Sequence, residues 1–231
     1  MKYKFGKTII IALGGSIVHP DGINTAFLRD FKKFLAIFTK KGVKFVIVIG
    51  GGALARRFQN AASEVAKITD EDKDWIGIHS TRLHAHLLRT IFRENADPVV
   101  IDSRKKILQL RYPITIASGW RPGWSTDYVA LQIASDYGIR EVIIAGKPDY
   151  VYDKDNVKYA DAKPFYELSW NNYQKLIPRK WKPGLHAPVD PVGAALGKKD
   201  GIKAIIIDGR DIQNFSNLLN GNDFKGTIIH P

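Results

Sequence analysis

Cysteine is absent from this 231-residue sequence. Its absence excludes disulfide bonds, zinc–thiolate sites and thiol catalysis. Long apolar runs are missing as well. After a basic N-terminal segment, the apolar run at residues 9–13 is too short for the hydrophobic part of a signal peptide or for a membrane span. We therefore expect a cytoplasmic protein that does not associate with membranes.

The sequence also lacks a Pro/Gly/Ser-rich linker, a low-complexity tract and an internal repeat. Its hydrophobic content of 45% and charged content of 25% are ordinary for a globular protein. We expect a single domain over 1–231, with an N-terminal lobe of about 1–138 and a C-terminal lobe of about 139–231. The six histidines show no metal-binding spacing, so no dedicated metal site is predicted.

Acidic residues are fewer than basic ones, and the formal net charge is +12. A basic balance suits polyanionic partners such as nucleotides, nucleic acids or acidic membrane surfaces. The basic clusters at 32–33, 40–41, 104–106 and 198–199 contain no interleaved aromatic residues. This pattern favours solvated helix ends and loops over a nucleic-acid-binding face.

Strand and helix patterns alternate along the chain. Strands are predicted at 8–13, 45–49, 98–101, 114–117, 141–145, 203–207 and 227–229, the last as an edge strand. Helices are predicted at 24–41, 53–66, 74–95, 126–137, 190–198 and 214–219. The alternation indicates an α/β fold with a mainly parallel sheet and helices on both faces. Residues 148–188 are the least regular part and are predicted to be rich in loops.

Four of the predicted strands end in glycine-bearing turns, at 14–16, 50–52, 118–119 and 146–147. In open parallel sheets, ligands bind at the carboxyl ends of the strands. Four such turns at one edge indicate an extended ligand with more than one phosphate group.

The turn at 50–52 is the most informative, because it joins a strand to a helix whose first turn carries Arg56. A helix N-terminus with flexible glycines binds anions, and a guanidinium group suits phosphate. An ordinary strand-to-helix turn is the alternative. The residues also match the dinucleotide pattern G-x-G-x-x-A. That motif needs an acidic residue at the end of the next strand, whereas the acidic residues at 70–74 are predicted in a polar loop.

Two aspartates, Asp127 and Asp190, stand at predicted helix starts. Helix capping explains such positions without any catalysis. In phosphoryl transfer, carboxylates at such positions organise lysines, metal ions or backbone amides around the moving charge. Most tryptophans are expected in the core or in interfaces, and Trp120 and Trp124 of the third glycine turn are the candidates for stacking on a base.

Taken in order, the motifs resemble the amino acid kinase superfamily and, within it, the archaeal-type uridylate kinases. The matching segments are Gly14-Gly-Ser16, Gly50-Gly-Gly-x-x-Ala-Arg56, Asp74-x-Ile-Gly-Ile-x-x-Thr-Arg82, Pro122-Gly-x-x-Thr-Asp127, Lys147-x-Asp-x-Val-Tyr152-x-x-Asp155, Val189-Asp-Pro191 and Gly226-Thr-Ile-Ile-His-Pro231. The resemblance implies a three-layer α/β/α sandwich, transfer of phosphate from ATP to a nucleoside monophosphate such as UMP, and assembly into hexamers.

The same resemblance implies a role for each matched residue. The residues that would contact the acceptor nucleotide are Gly51, Gly52, Arg56, Asp74, Gly119, Arg121 and Thr126. Contacts with ATP fall to Gly15, Ser16, Lys147, Tyr152 and Asp155. Asp127 and Asp190 match the catalytic aspartates, and Mg²⁺ would arrive with ATP rather than in a protein cage.

The sequence departs from the family pattern on the ATP side. Most members carry a lysine at the position of Ala12, where it stabilises the transferring phosphoryl group. Alanine has no charge, so Lys147 or Arg121 is a candidate replacement. Tyr150 replaces a usual glycine, and tryptophans occupy the acceptor loop. A nucleotide-binding regulator with weak or no kinase activity, or a kinase for another small phosphate or carboxylate acceptor, therefore remains an alternative.

Overall fold

The computed structural model describes residues 1–181 and 187–231. The strands are β1 (Thr8–Leu13), β2 (Lys44–Ile49), β3 (Ile114–Ala117), β4 (Glu141–Gly146), β5 (Val151–Tyr152), β6 (Pro164–Phe165), β7 (Glu167–Ser169), β8 (Lys203–Asp208) and β9 (Thr227–His230). The helices are α1 (Gly15–Val18), α2 (Thr25–Thr39), α3 (Gly52–Val65), α4 (Asp70–Ile91), α5 (Thr126–Asp136), α6 (Trp170–Leu176), α7 (Pro191–Asp200) and α8 (Ile212–Leu219).

One seven-stranded sheet runs through the molecule in the order β3-β2-β1-β4-β8-β9-β7. Every neighbouring pair is parallel except β8 and β9. β5 and β6 form a separate two-stranded antiparallel pair. The four central strands β2, β1, β4 and β8 therefore deliver their carboxyl ends, with their turns, to one edge of the sheet.

The two faces of the sheet bury separate hydrophobic clusters. Ile9, Ile11 and Leu13 of β1 pack with the aromatic stripe of α2 and with residues of α4 and α8. Ile10 and Ala12 point to the opposite face and pack with residues of α5, α6 and α7. The alternation follows from the two-residue period of a strand. The three-layer α/β/α sandwich is thereby confirmed. The sequence of β1 is continuously apolar because helices cover both of its faces.

Two predicted strands differ in the structure. Residues 98–101 do not form a strand, and only an isolated bridge joins Ile101 to Ala117. The Asp97 carboxylate accepts a hydrogen bond from the Val99 N–H (2.9 Å), and such a local turn competes with strand pairing. The prediction that 227–229 is an edge strand was also wrong, because β9 lies between β8 and β7. At that end of the sheet the edge strand is β7, which comes from the segment predicted to be rich in loops.

The acidic segment 70–74 is helical rather than a polar loop. Thr69 caps α4 by accepting a hydrogen bond from the Asp72 N–H (3.1 Å), while Asp72 accepts one from the Thr69 N–H (2.8 Å). This reciprocal pair is a capping box, and the carboxylates of the first turn favour the helix dipole. Asp74 is therefore fixed on a helix. No helix within the described residues is long and apolar enough to cross a membrane.

The turns after β1 and β2 are packed backbone against backbone. A Cβ atom added to Gly15 would overlap the Gly50 carbonyl and the Gly52 nitrogen, and one added to Gly50 would lie 2.8 Å from the Gly15 nitrogen. Gly52 has a φ of 62°, which side chains adopt at a cost. Only glycine permits this approach.

We predict that Gly15→Ala strongly destabilises the protein, because the added methyl group meets backbone that cannot swing away. The loss in unfolding free energy should be about 1–3 kcal/mol or more, as for overpacked cores. Gly22→Ala is the matched control, since no atom other than those of its chain neighbours lies within 4 Å of the position that its Cβ would take. Chemical denaturation measures both variants, and an equal, small effect of the two would contradict the interlocked turns.

Candidate functional site

A cavity of about 700 Å³ opens at the carboxyl edge of the sheet. Its size falls within the range of small-molecule sites. The turns after β1, β2 and β4 line it, together with parts of α3, α4 and α5 and the start of α7. Two cations, Arg56 and Lys147, belong to the described lining, as do the carboxylates Asp74, Asp127 and Asp190.

The turn at 50–52 presents backbone amides at the N-terminus of α3. The Ala53 N–H donates to the His19 carbonyl (3.2 Å). In the described part of the chain, no hydrogen bond engages the Gly51 or Gly52 N–H. Unpaired amides at a helix N-terminus favour an anion. The Arg56 guanidinium reaches across to the preceding turn and donates to Ser16 Oγ (3.3 Å). Arg56 thus lies between the first two glycine turns.

The loop at 119–126 is fastened to α4 by two backbone amides. The Gly119 N–H donates to Thr81 Oγ1 (2.8 Å), and the Gly123 N–H donates to Asp74 Oδ2 (2.7 Å). Thr81 in turn donates to the Ile78 carbonyl (2.6 Å) within the helix. These bonds hold the loop along α4 and set one wall of the cavity.

The helix starts at α5 and α7 are joined by their caps. Ser125 Oγ accepts from the Tyr128 N–H (2.9 Å) and caps α5. Asp190 Oδ1 accepts from the Val192 N–H (2.8 Å) and the Gly193 N–H (3.1 Å), so it caps α7. The Ser125 hydroxyl also donates to Asp190 Oδ2. The capping interpretation of Asp190 is correct, and the same carboxylate lines the cavity.

Asp127 is the carboxylate with the most unusual environment. It follows the cap of α5 and keeps partial exposure towards the cavity. Burial of its carboxyl group raises the pKa of Asp127 well above its usual range, and the nearby negative charge of Asp190 raises it further. Strongly perturbed carboxyl groups in a cleft are typical of functional sites.

Most of the predicted site residues come together in the lining of the cavity. Those that line it are Gly15, Ser16, Gly51, Gly52, Arg56, Asp74, Gly119, Thr126, Asp127, Lys147 and Asp190. Ala12 lines it too, so the position that lacks the family lysine faces the cavity. Their individual roles remain predictions.

Three predicted residues lie outside that lining. The Arg121 guanidinium lies 4.3 Å from the centre of the Trp124 ring. Tyr152 lies in β5 and donates to Asp149 Oδ1 (2.8 Å). Asp155 is exposed and accepts the Val157 N–H (3.0 Å) in its own turn. The exposed Arg121 is thus engaged with the ring of Trp124, which weakens its case as the replacement for the missing lysine.

The tryptophans of the third glycine turn have separate environments. Trp120 is buried on one face of the sheet and donates to the Ile101 carbonyl (3.3 Å), so it is a core residue. Trp124 lines the cavity and is still a candidate for stacking on a nucleotide base. Trp181, expected in the core or an interface, also lines the cavity, and its Nε1 lies 3.5 Å from Asp74 Oδ2.

Sequence reasoning missed several residues of the site. Gln59, Thr81 and Ser125 line the cavity or hold its walls, and His19 and His84 lie behind the turn at 50–52. Thr81 stood inside a matched motif, so its hydroxyl could have been noticed. The histidines gave no sequence pattern, because His84 bonds to the Gly50 backbone carbonyl and His19 bonds to His84, which is 65 residues away in sequence. Among the described residues, no group of three or more His, Cys, Asp or Glu side chains could hold a metal ion.

Comparison with known proteins gives a consistent result. The model of the Amino acid kinase family matches residues 7–208. The chain is 33% identical to the uridylate kinase of Staphylothermus marinus over 204 residues, covering 87% of this chain and 91% of that one. It is 32% identical to the uridylate kinase of Methanocorpusculum labreanum over 224 residues, covering 96% and 94%.

Solved structures agree with these relatives. The uridylate kinase of Archaeoglobus fulgidus superimposes with a TM-score of 0.81 at 26% identity, covering 99% of this chain and 100% of that one. The UMP kinase of Bacillus anthracis has a TM-score of 0.79 at 20% identity, covering 97% and 96%, and shares the fold.

We predict that Asp127→Asn is more stable than the wild type, and that this difference in stability grows as the pH rises. In the unfolded chain an aspartate ionises near pH 3.9. In the folded protein its raised pKa keeps the proton longer, so the wild type loses stability from about pH 4 up to the folded pKa. Asparagine lacks this loss.

Thermal unfolding at several pH values measures the effect, with the exposed Asp30→Asn as the control. The stability difference between Asp127→Asn and wild type should grow with pH. A difference that stays constant over the range would show that the Asp127 carboxyl is not destabilised by its surroundings.

Proposed function

The chain belongs to the amino acid kinase family, and we propose that it is a uridylate kinase that transfers the γ-phosphoryl group of ATP to UMP. The observation that carries this proposal is the cavity itself. It presents two interlocked glycine turns, with Arg56 between them and the two aspartates Asp127 and Asp190 in its lining. Such a site suits two phosphorylated ligands that meet end to end. The names of the similar proteins support UMP as the acceptor.

On the acceptor side, the UMP phosphate would accept hydrogen bonds from the Gly51 and Gly52 amides and from Arg56. Both amides lie at the N-terminus of α3, where the helix dipole favours negative charge. Asp74 would bind the ribose. Gly119, Arg121 and Thr126, in the loop that α4 holds, would surround the nucleotide, and Trp124 offers a ring for stacking.

On the donor side, Gly15, Ser16 and Lys147 would contact the ATP phosphates. The turn with Gly15 and Ser16 follows β1, and Lys147 follows the neighbouring strand β4. Tyr152 and Asp155 lie further along the chain after Lys147, and we keep them as proposed ATP contacts outside the cavity lining.

The transfer itself makes one bond and breaks one. A phosphate oxygen of UMP attacks the γ-phosphorus, and the bond from that phosphorus to the oxygen bridging it to the β-phosphate breaks, so ADP leaves. Negative charge moves between the two turns during this step. Because Ala12 supplies no cation, Arg56 and Lys147 of the described lining would stabilise that charge. Arg56 is well suited, since it already contacts Ser16 of the donor turn.

Asp127 and Asp190 would organise the wall next to the transferring group. The residues of the cavity fit a magnesium ion brought by ATP, because magnesium uses one or two carboxylates together with phosphate oxygens. Asp127 and Asp190 would be those carboxylates, and the ion would neutralise phosphate charge. The three hydrogen bonds to Asp190 hold its carboxylate in place.

We further propose that residues 1–231 act as one domain, with an acceptor lobe of about 1–138 and an ATP lobe of about 139–231. The continuous sheet supports this, since β4 of the second lobe pairs with β1 of the first. A cytoplasmic location and a homo-oligomer, specifically a hexamer, are part of the proposal. Exposed apolar side chains on α3 and α4, such as Phe58 and Leu83, offer surface for contact between subunits.

We predict that the purified protein forms UDP and ADP from UMP and ATP, and that two variants separate binding from chemistry. Arg56→Ala should raise the KM for UMP about 10- to 100-fold, which is the loss in affinity expected when a charge-assisted hydrogen bond is removed. Asp127→Asn should instead lower kcat by about 100-fold, because it removes charge that organises the transition state.

Steady-state kinetics over a panel of ribo- and deoxyribonucleoside monophosphates measures these effects. Arg57→Ala is the control, since this neighbouring arginine pairs with Asp21 at the surface (3.7 Å). Turnover of a different acceptor would reassign the substrate. ATP binding without turnover of any acceptor would refute the kinase proposal and favour the nucleotide-binding regulator.

A further inference from the structure

Two histidines are buried behind the glycine turn at 50–52. The exposed fraction is 1% for His84 and 9% for His19. His84 Nδ1 lies 3.0 Å from the Gly50 carbonyl oxygen, and His84 Nε2 lies 3.1 Å from His19 Nδ1. Because a carbonyl only accepts, His84 Nδ1 carries the proton, and its Nε2 then accepts from the His19 Nδ1–H. The two rings form a directed chain that ends on the turn.

The orientation of the Gly50 carbonyl controls the next amide. In a planar trans peptide, the N–H of Gly51 points opposite to the C=O of Gly50. The bond to His84 draws that carbonyl towards α4, so the Gly51 N–H is turned away from α4. On the other side of the turn, the Ala53 N–H is bound by the His19 carbonyl. The histidine pair therefore holds the turn at both ends and leaves the two amides between them for a ligand.

We propose that His84 and His19 are positioning residues for the acceptor phosphate: they fix the peptide planes of the turn so that the Gly51 and Gly52 amides are preorganised for an anion. This inference rests on the proposed function for the identity of the anion. Neither ring has to touch the substrate, and neither ring belongs to the lining of the cavity.

The electrostatic surroundings of the His84 ring favour its neutral form. Burial lowers the pKa of His84 and the hydrogen bond to Gly50 opposes this, while a positive charge on the neighbouring His19 would lower the pKa of His84 further. The two arginines of α3 have partners other than the histidines, since Arg56 donates to Ser16 and Arg57 pairs with Asp21. A neutral imidazole with a fixed tautomer is a directional donor, which is what the turn requires.

Direct binding measurements with UMP and with a non-hydrolysable ATP analogue test the proposal. His84→Leu removes the donor, whereas His84→Asn keeps an N–H close to the position of Nδ1. We expect His84→Leu to weaken UMP binding about tenfold, the effect of one lost hydrogen bond in a binding turn. Binding of the ATP analogue should stay within about twofold. His84→Asn should recover most of the UMP affinity.

His86→Leu is the matched control, because His86 is an exposed histidine on the same helix. Circular dichroism verifies that each variant is folded. If His84→Leu does not fold, His19→Leu makes the same test from the other end of the chain. It removes the donor to His84 but keeps the backbone carbonyl that binds Ala53, and it should weaken UMP binding selectively.

The outcomes separate this inference from the proposed function. Wild-type-like UMP binding by folded His84→Leu and His19→Leu, or equal weakening for UMP and the ATP analogue, would overturn the positioning role. Selective weakening with rescue by His84→Asn supports it, even if the wild type binds UMP without turning it over, a result that refutes the kinase proposal alone. Failure of the wild type to bind UMP would overturn both.

Discussion

The contact between the backbones of two glycine turns is the constraint on which the rest of this site depends. β1 and β2 are parallel neighbours in register, from Thr8 opposite Lys44 to Leu13 opposite Ile49. Their turns therefore leave the sheet side by side, and the absence of a Cβ at Gly15 lets the Gly50 carbonyl and Gly52 nitrogen come against it. The spacing between the proposed donor and acceptor phosphate sites is set by this contact rather than by long side chains. A reaction in which two phosphates must meet in line gains from such rigidity.

Around this contact, the carboxylates of the cavity are held by hydrogen bonds that also stabilise the fold. Asp190 caps α7 and joins it to α5 through Ser125, so the same hydrogen bonds hold two helices and orient a carboxylate of the cavity. Asp74 binds an amide of the loop at 119–126 while facing the cavity. Asp127 is the exception, since its surroundings disfavour its charge. A destabilised carboxyl group retained in a cleft is understandable where the charge serves chemistry.

Prediction from the sequence succeeded where local pattern and physical cause coincide. The run after residue 44 is apolar without alternation because β2 is buried on both faces, and the glycines that follow form the predicted turn into a helix. It failed where a tertiary contact decided the outcome. Residues 98–101 have strand composition, but Asp97 closes a local turn beside them. The core position of Trp120 and the pairing of His84 with the Gly50 carbonyl depend on distant parts of the chain, which no local pattern reports. The sequence made Arg121 a candidate to replace the missing lysine, but in the structure its guanidinium stacks on Trp124.

We propose that the turn at 50–52 holds the acceptor phosphate and that the turn at 14–16 holds the phosphates of ATP, from which the γ-phosphoryl group is transferred. A crystal structure with UMP and a non-hydrolysable ATP analogue tests it most directly. We expect the UMP phosphate within hydrogen-bonding distance of the Gly51 and Gly52 amides and of Arg56, with the γ-phosphate of the analogue beside Gly15 and Ser16. A UMP phosphate bound elsewhere in the cavity, or both nucleotides bound with their phosphates on separate walls, would contradict it.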